Sequence, residues 1–391
     1  MKINNNNFKP ILLAGCVALA SGSAFADVKV YEDEKVGTFS VDASFNTFFS
    51  QTSTENDISG IDRDQSRVRS GFLPNWVGFN FSKELDNVKI GGRSSFWVSI
   101  NDSNRNLTET GIDVRQFYAT LDWDWGQVLI GKDFTLFSRS NIFLDEILLG
   151  YGNVNDTLGL VDGTGVSFGN IGSGYIYPLP TSQITYRTPT KGGFRLALGI
   201  VDPGNTTDDR GPNRTSEENT PRFEGELTYE GKFSGGKINA FAGFLQQSTE
   251  SDLQEDVDTF GISYGAKLTL GGFSIHASGF DGEAVGFLLG PGGDAGLGLT
   301  NLLAENGEEV DSDGYLAQVA FKHGKNRYVA SYGETDVEID LGWENEGTQF
   351  AWFHAYNSNV TFVAEYSINE ITLGSASEEA QTLALGAIVN F

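Results

Sequence analysis

Apolar and polar residues alternate along most of the chain, and the alternation is clearest at its C-terminal end. In residues 382–391, Leu383, Leu385 and Val389 fall on one face, and the residues between them are mostly small or polar. A period of two is typical of a β-strand whose faces meet different surroundings, so the pattern predicts strands rather than helices. Sixteen such stretches occur, at about 36–50, 65–84 (bent near Pro74), 88–101, 114–123, 126–133, 182–189, 193–201, 221–230, 236–247, 257–270, 273–281, 313–323, 325–334, 347–356, 359–369 and 378–391.

The connections between these stretches alternate between short and long. Seven short ones are built from turn-forming residues, as at 86–87 and 271–272. An even number of strands joined by alternate tight turns and long loops predicts an all-β, transmembrane, antiparallel up-and-down barrel of 16 strands, with both termini on the tight-turn side. The eight long connections are expected at roughly 51–64, 102–113, 134–181, 202–220, 248–256, 282–312, 335–346 and 370–377.

The polar strand faces favour a membrane barrel over a soluble β-sandwich. A sandwich fills its interior with large apolar residues from both sheets. In this chain Arg93, Ser95 and Ser99 alternate with Phe96 and Val98, which predicts a polar lumen inside an apolar exterior. No run of the mature chain approaches the roughly 18–20 apolar residues that a membrane helix needs.

The first residues have the composition of a leader. Lysines precede the apolar run 11–20, and residues 24–26 read Ala-Phe-Ala. This order predicts a secretory signal peptide, 1–26, followed by a single barrel domain, 27–391. A lipoprotein signal ending at Cys16 is the alternative, although its apolar run would be short. Cleavage after residue 26 removes the only Cys and the only Met, so disulfides are excluded.

Charge changes the picture of possible partners. The full chain has a formal charge of −26, so the sequence does not predict the basic surface that a nucleic-acid-binding protein needs. Residues 281–313 and 334–346 contain eight and six acidic residues and no Lys or Arg, whereas Lys322, Lys325 and Arg327 surround one tight turn. The two ends of the predicted barrel therefore differ in charge.

With these features the chain resembles the general, non-specific porins of Gram-negative outer membranes. The strand pair 114–121 and 126–132, the long segment 134–181 that follows it, and the terminal Phe391 carry the resemblance. It implies a homotrimer in the cell outer membrane of a Gram-negative bacterium, in contact with lipid and lipopolysaccharide, that passes small hydrophilic solutes. It also implies that 134–181 folds inward as a constriction loop, and that Phe391 is the signal for the barrel assembly machinery.

Opposed charges are expected at such a constriction. Asp145 and Glu146 lie within the long segment, and residues 133–181 also contain Asp133, Asp156 and Asp162 against a single Arg139. A transverse field between these acids and basic groups of the wall would select ions. The expected channel prefers cations. The alternative is that both acids are solvated at a loop tip. Arg115 has the parity of the apolar Phe117, so the sequence supports an inward direction less well for Arg115 than for Arg93. The basic residues expected at the constriction are Arg67, Arg69, Arg93, Arg115, Lys132 and Arg187.

Motifs for enzymatic or metal chemistry are weak. Residues 261–265 match Gly-x-Ser-x-Gly around Ser263, and His276 follows, but the match lies within an alternating strand rather than a strand-to-helix turn. The three histidines lack the spacing of a zinc site. No cofactor, metal or catalytic residue is expected. A substrate-selective channel for organic acids or sugars is the second hypothesis, and a barrel-borne hydrolase is the third.

Overall fold

The structure is a computed structural model that describes residues 28–102, 111–209, 211 and 214–391. The predicted leader, 1–26, with Cys16, lies outside the described residues. Two six-residue helices, α1 (Arg139–Leu144) and α2 (Pro291–Gly296), and a 3-10 helix at Thr300–Leu302 lie in connections. The strands are β1 (Val28–Asp33), β2 (Gly37–Asn56), β3 (Arg63–Arg69), β4 (Asn75–Leu85), β5 (Val88–Val98), β6 (Ile112–Trp123), β7 (Gly126–Asp133), β8 (Thr181–Arg187), β9 (Phe194–Val201), β10 (Arg222–Phe233), β11 (Gly236–Thr249), β12 (Val257–Leu270), β13 (Phe273–Glu283), β14 (Ala304–Glu305), β15 (Glu308–Glu309), β16 (Asp311–His323), β17 (Asn326–Val337), β18 (Trp343–Ala355), β19 (Val360–Leu373) and β20 (Ala376–Asn390).

The main sheet closes on itself. The last strand, β20, pairs antiparallel with β2, from Ser44–Asn390 to Asn56–Glu378. Strands β3 and β4 follow one another along β2 and form one interrupted strand, broken at the predicted bend near Pro74. Counted in this way, the sheet is a closed antiparallel barrel of 16 strands, which confirms the predicted fold class. The added β1 pairs with the beginning of β2, and β14 and β15 form a separate hairpin.

The alternation of short and long connections fails near the C-terminus. Strands β19 and β20 remain paired up to Leu373 and Ala376, so the predicted loop 370–377 is a two-residue turn in which Gly374 adopts a φ of 63°. The predicted loop 335–346 shrinks to 338–342 for the same reason. Polar residues such as Glu370 and Thr372 continue the ladder beyond the apolar part of the strand, and alternation of apolar residues cannot detect that extension.

The two faces of the wall differ as the sequence predicts. On β9, Leu196, Leu198 and Ile200 are exposed, whereas Ala197 and Val201 on the opposite face are buried. Buried polar side chains line the inward face, among them Ser50, Thr52, Thr185, Gln349, Asn369 and Thr382. A barrel with an apolar exterior and a polar interior is the arrangement expected in a membrane. In the described part of the chain no helix has the length and apolarity needed to span a bilayer.

Candidate functional site

The longest connection, 134–180, runs from β7 to β8 and is called the anchored segment below. In chain order, its residues hydrogen-bond to side chains of β10, β12, β16, β19, β20 and β3. All of these partner side chains belong to the inward face of the wall. The anchored segment is therefore tied to strands that lie far apart around the barrel.

Glu146 is the most completely paired acid of the anchored segment. Its carboxylate lies 2.8 Å from Lys267 Nζ of β12 and 3.1 Å from Arg327 Nη1 of β17, and Ser274 donates a further hydrogen bond. Burial alone would raise the pKa of Glu146, but the charges of Lys267 and Arg327 outweigh it and lower that pKa. Glu146 is therefore charged at neutral pH inside the protein.

Asp145, beside it, is held by neutral donors. Its carboxylate accepts hydrogen bonds from Gln318 Nε2 at 2.6 Å, Tyr175 Oη at 2.7 Å and Asn170 Nδ2 at 2.9 Å. Both acids are buried, so the alternative of solvated tip residues is wrong. The cations that face them are Lys267 and Arg327 rather than the wall arginines that the sequence suggested.

Three wall glutamates hold the backbone of the anchored segment. Each carboxylate accepts the N–H groups of two successive residues. Glu224 of β10 takes those of 136 and 137 at 2.6 and 2.8 Å, Glu365 of β19 those of 151 and 152 at 2.8 and 2.7 Å, and Glu378 of β20 those of 156 and 157 at 2.5 and 2.7 Å. The wall thereby fixes the path of the segment at three separate points.

The arginines of β3, two strands from β20 in the barrel, hold the same segment as well. Arg63 pairs with Asp156 and Asp162, and Arg67 pairs with Asp162. Burial would raise the pKa of Asp162, but hydrogen bonds from these two arginines lower it. Arg69 is buried and donates to the backbone carbonyls of 161, 163 and 165. Arg67 and Arg69 therefore contact the anchored segment at Asp162 and at the carbonyls of 161, 163 and 165, and not at Asp145 or Glu146.

Arg93 and Arg187 face inward on other parts of the wall. Arg93 Nη1 lies 2.6 Å from Asp42 Oδ2 and its Nε donates to Gln116 at 2.7 Å. Arg187 Nη1 donates to Gln127 at 3.3 Å, and its Nη2 has no hydrogen-bond partner within the described residues. Neither side chain contacts Asp145 or Glu146, so the single cluster of opposed charges expected from the sequence divides into several local ones.

A β-bulge decides the direction of Arg115. The ladder of β5 and β6 shifts between Ser95 and Phe96, leaving Arg115 as the extra residue. Its guanidinium lies 5.1 Å from the Trp97 ring centre and donates to Tyr177 Oη at 2.8 Å, so it reaches the anchored segment despite its parity.

Lys132 is a correction to the predicted set of pore residues. Strict alternation along β7 places it on the outward face with the exposed Ile130, whereas the buried Leu129 and Asp133 face inward. Because period-two geometry sends neighbouring side chains to opposite faces, Lys132 does not line the lumen.

A second long connection, 284–310, packs against the anchored segment and is called the second segment. Phe287 and Leu288 join Tyr175, Tyr177 and wall residues in one apolar cluster. The backbone N–H of Tyr177 donates to the carbonyl of Leu288 at 2.9 Å. The two segments thus share one apolar core with residues of the wall.

Asp294 organises the second segment from within. Its buried carboxylate accepts the backbone N–H groups of Phe287, Leu288 and Leu289 at 2.9, 3.1 and 2.6 Å. Burial raises the pKa of Asp294 to about 6, although these three hydrogen bonds oppose the shift.

Phe391 completes the seam between the first and last barrel strands. Its backbone N–H donates to the carbonyl of Ala43 at 3.0 Å, and its carbonyl accepts from the Ala43 N–H at 2.6 Å. Its ring centre lies 5.6 Å from that of Phe45 on the outward face. The terminal residue therefore contributes both to the ladder and to the exterior.

Sequence reasoning missed the wall residues that hold the anchored segment, namely Glu224, Glu365, Glu378, Lys267 and Arg327. One signal was present, because a charged residue within an apolar strand must avoid lipid and face inward. That signal gives the face of Glu365 but not its partner, which is 214 positions away in the chain.

A model of the Gram-negative porin family matches residues 13–372. The chain belongs to this family. No curated protein matches this porin in sequence. Among solved structures, it is similar to an anion-selective porin from Comamonas acidovorans (14% identity, TM-score 0.64, covering 90% of this chain and 99% of the other) and to the outer membrane channel DcaP of Acinetobacter baumannii (14%, 0.65, 92% and 99%). It is also similar to the trimer form of OmpT from Vibrio cholerae (15%, 0.55, 91% and 100%).

At these identities the structural likenesses show the fold alone, and the family match shows the kind of protein. As a Gram-negative porin, the chain is an outer-membrane channel for small solutes. In such barrels the tight turns face the periplasm and the longer loops face the exterior. The acidic connections of this porin are thereby assigned to the outside, and the turn around Lys322 and Lys325 to the periplasmic mouth.

Proposed function

We propose that this porin mediates passive diffusion of small hydrophilic solutes and ions, that it prefers cations, and that the anchored segment narrows its channel. The observation that carries the proposal is the ionic attachment of that segment to inward side chains, above all at Glu146. A polar lumen crossed by fixed, paired charges conducts water-borne solutes and discriminates by size and charge. Asp145, Glu146, Arg67, Arg69, Arg93, Arg115 and Arg187 are the residues proposed to act there.

The proposed cation preference rests on the outer mouth more than on the narrowest point. Glu146 faces two cations, so its surroundings carry no excess of negative charge. At the extracellular ends of β17 and β18, by contrast, Glu334, Asp336 and Glu344 lie on the outward face around the mouth, with carboxylate oxygens within 4.8 Å of one another. Fixed negative charge at a channel mouth raises the local concentration of cations, and salt screens it over about 8 Å at physiological strength.

Reversal potentials in a KCl gradient test this proposal. The native channel should favour K⁺, and the preference should weaken as ionic strength rises. A double variant, Asp145→Asn with Glu146→Gln, should reduce the preference because it removes two negative charges. Glu230→Gln, at a periplasmic tight turn, is the matched control. Anion selectivity of the native channel would contradict the charge argument.

The second hypothesis is a substrate-selective channel for organic acids or sugars, and a channel selective for sugars would need aromatic rings exposed along the lumen. Trp76 and Trp97 stack with ring centres 4.7 Å apart, but both are buried in the apolar cluster together with Phe134 and Tyr177. Their faces are covered by other rings rather than presented to a solute. The arrangement supports general diffusion over a sugar pathway.

A hydrolytic site at Ser263 has little geometric support. Ser263 pairs with Phe280 across β12 and β13, whereas His276 pairs with Lys267, four positions further along the strand. Four residues of strand span about 13 Å, which is too far for a serine–histidine hydrogen bond. His276 instead interacts through Nδ1 with Gln318 at 3.0 Å. We therefore propose a channel without enzymatic activity.

The proposed working form is a homotrimer, in contact with outer-membrane lipid and lipopolysaccharide. Cross-linking of purified protein before and after heating in detergent tests the oligomer, because a trimer should dissociate on heating. Signal cleavage after residue 26 is proposed as well, and the N-terminal mass of the purified protein tests it.

Phe391 is proposed as the residue that the barrel assembly machinery recognises. Its contacts with Ala43 and Phe45 lie at the closing seam, so its deletion should leave unassembled protein in the periplasm. Normal outer-membrane levels of the deletion variant would contradict this role.

A further inference from the structure

We propose that the periplasmic mouth of the channel holds a binding site for a small phosphate-type oxyanion. The site is a cavity of about 240 Å³ between the anchored segment and the periplasmic ends of β12, β13 and β16–β18. A channel for unselective diffusion needs no such site, so this inference goes beyond the proposed function.

Positive charge dominates the lining of the cavity. Lys267, Lys322, Lys325 and Arg327 all line it, and Glu146 is the only acid among its lining residues. Glu146 is already shared between Lys267 and Arg327 at 2.8 and 3.1 Å. Four cations and one carboxylate leave an excess of three positive charges in one small space. An anion that enters would relieve the repulsion among them.

The two lysines at the rim of the cavity, Lys322 and Lys325, have N–H donors that are not used within the described part of the protein. Both Lys322 and Lys325 are exposed at the tight turn. Lys325 Nζ donates one hydrogen bond, to the carbonyl of Tyr356 at 2.7 Å, and an ammonium group has three N–H donors. Lys322 forms no ion pair within the described residues. Thr269, Ser274, Asn326 and Thr361 add hydroxyl and amide groups to the lining, and the remaining lining residues are apolar or glycine.

The chemistry of the lining favours a multiply charged oxyanion over chloride. Phosphate offers several acceptor oxygens and at least one full negative charge, so it can accept hydrogen bonds from both rim lysines together. The alternation of β12, β16 and β17 directs Lys267, Lys322 and Arg327 to the lumen and not to lipid. A water-borne phosphate group is therefore the proposed ligand, rather than the headgroup of a membrane lipid.

Calorimetry on the full-length porin, purified in phosphate-free detergent, tests the site directly. Inorganic phosphate should bind, and chloride at the same ionic strength should not compete. The double variant Lys322→Gln with Lys325→Gln should bind phosphate about tenfold or more weakly, since it loses charge-assisted hydrogen bonds. The matched control is Lys232→Gln with Lys237→Gln, which removes two lysines that accompany Glu230 at another periplasmic turn.

Three outcomes would overturn the proposal: no phosphate binding by the native protein, equal loss in both double variants, or binding to phosphatidylglycerol vesicles but not to free phosphate. The last would assign the lysines to a lipid headgroup. Calorimetry does not depend on conduction, so a failure of the proposed ion preference and a failure of this site are distinguishable. Single-channel recording adds a second readout, because phosphate should reduce the current only when it is added on the periplasmic side.

Discussion

The two long segments that share an apolar core are fixed in place in different ways. The anchored segment, 134–180, depends on the wall: glutamates of β10, β19 and β20 accept its N–H groups, and arginines of β3 pair with its acids. The second segment, 284–310, depends on its own Asp294, which accepts three of its N–H groups, and on apolar contacts. The anchored segment is held by side chains of the wall, whereas the second segment is held largely by hydrogen bonds within itself.

This difference predicts which substitutions or changes of pH will alter the stability of each segment. The anchored segment should respond to single substitutions on strands distant in the chain, because β10, β19 and β20 hold its backbone. The second segment should respond to local chemistry, above all to the protonation of Asp294. Buried polar groups make both responses large, since an unpaired donor or charge away from water is costly.

Glu146→Gln is expected to have the largest effect. It leaves Lys267 and Arg327 facing each other without a carboxylate, and breaking a buried ion pair by removing one partner costs about 3–5 kcal/mol. We expect a lower unfolding temperature in detergent and fluctuating single-channel currents. Asp162→Asn, whose carboxylate is more exposed, is the milder comparison. Native thermal stability of the Glu146 variant would show that this attachment does not hold the segment.

Glu365→Gln should have the next largest effect. One oxygen of the amide can still accept, but its NH₂ group opposes the N–H of residue 151 or 152, and an unsatisfied buried donor costs about 1–3 kcal/mol. Hydrogen exchange of these two amides should accelerate. Glu370→Gln lies on the same strand but faces outward, so it should leave their exchange unchanged. Equal acceleration in both variants would point to a general loosening of β19.

The second segment should be more stable at low pH than at neutral pH. The pKa of Asp294 is raised from 3.8 to about 6 by burial, so the fold favours its protonated form. That stabilisation is complete below pH 4 and is lost as the pH rises through 6, by about 3 kcal/mol at most. Exchange of the amides of 287–289, corrected for intrinsic rates, should therefore be slower at pH 4 than at pH 7. In Asp294→Asn the difference should disappear, and an unchanged pH dependence would assign it to another group.

The architecture could be predicted from the sequence because it depends on the alternation of apolar and polar residues with a period of two, which is visible within each strand. Alternation fixes which residues face outward, as on β9, and turn-forming residues mark the tight turns. The strand ends near Leu373 were missed because polar residues extend the ladder beyond the apolar stretch. Arg115 was uncertain because a one-residue bulge reverses its face, and a bulge leaves no mark in the pattern of apolar residues.

The attachments of the two segments could not be predicted in the same way. Glu146 meets Arg327, and Glu378 meets residues 156–157, only because the closed barrel brings strands from opposite ends of the chain around one interior. Those pairings depend on register and on loop path, neither of which has a short-range signal. The sequence therefore indicated which acids and bases could meet, but it did not identify Lys267 and Arg327 as the partners of Glu146.

Lys132→Gln is expected to have the smallest effect, and it tests the assignment of faces on β7. Its side chain lies on the outward face with Ile130 and contacts neither segment, so conductance and ion preference should match the native channel. A surface substitution of this kind changes stability by no more than about 0.5 kcal/mol. Arg115→Gln is the matched comparison, because it removes the hydrogen bond to Tyr177 and the contact with Trp97 and should alter the current. If both variants changed ion preference to the same extent, Lys132 would have to reach the lumen, and the inward face of β7 would need to be reassigned.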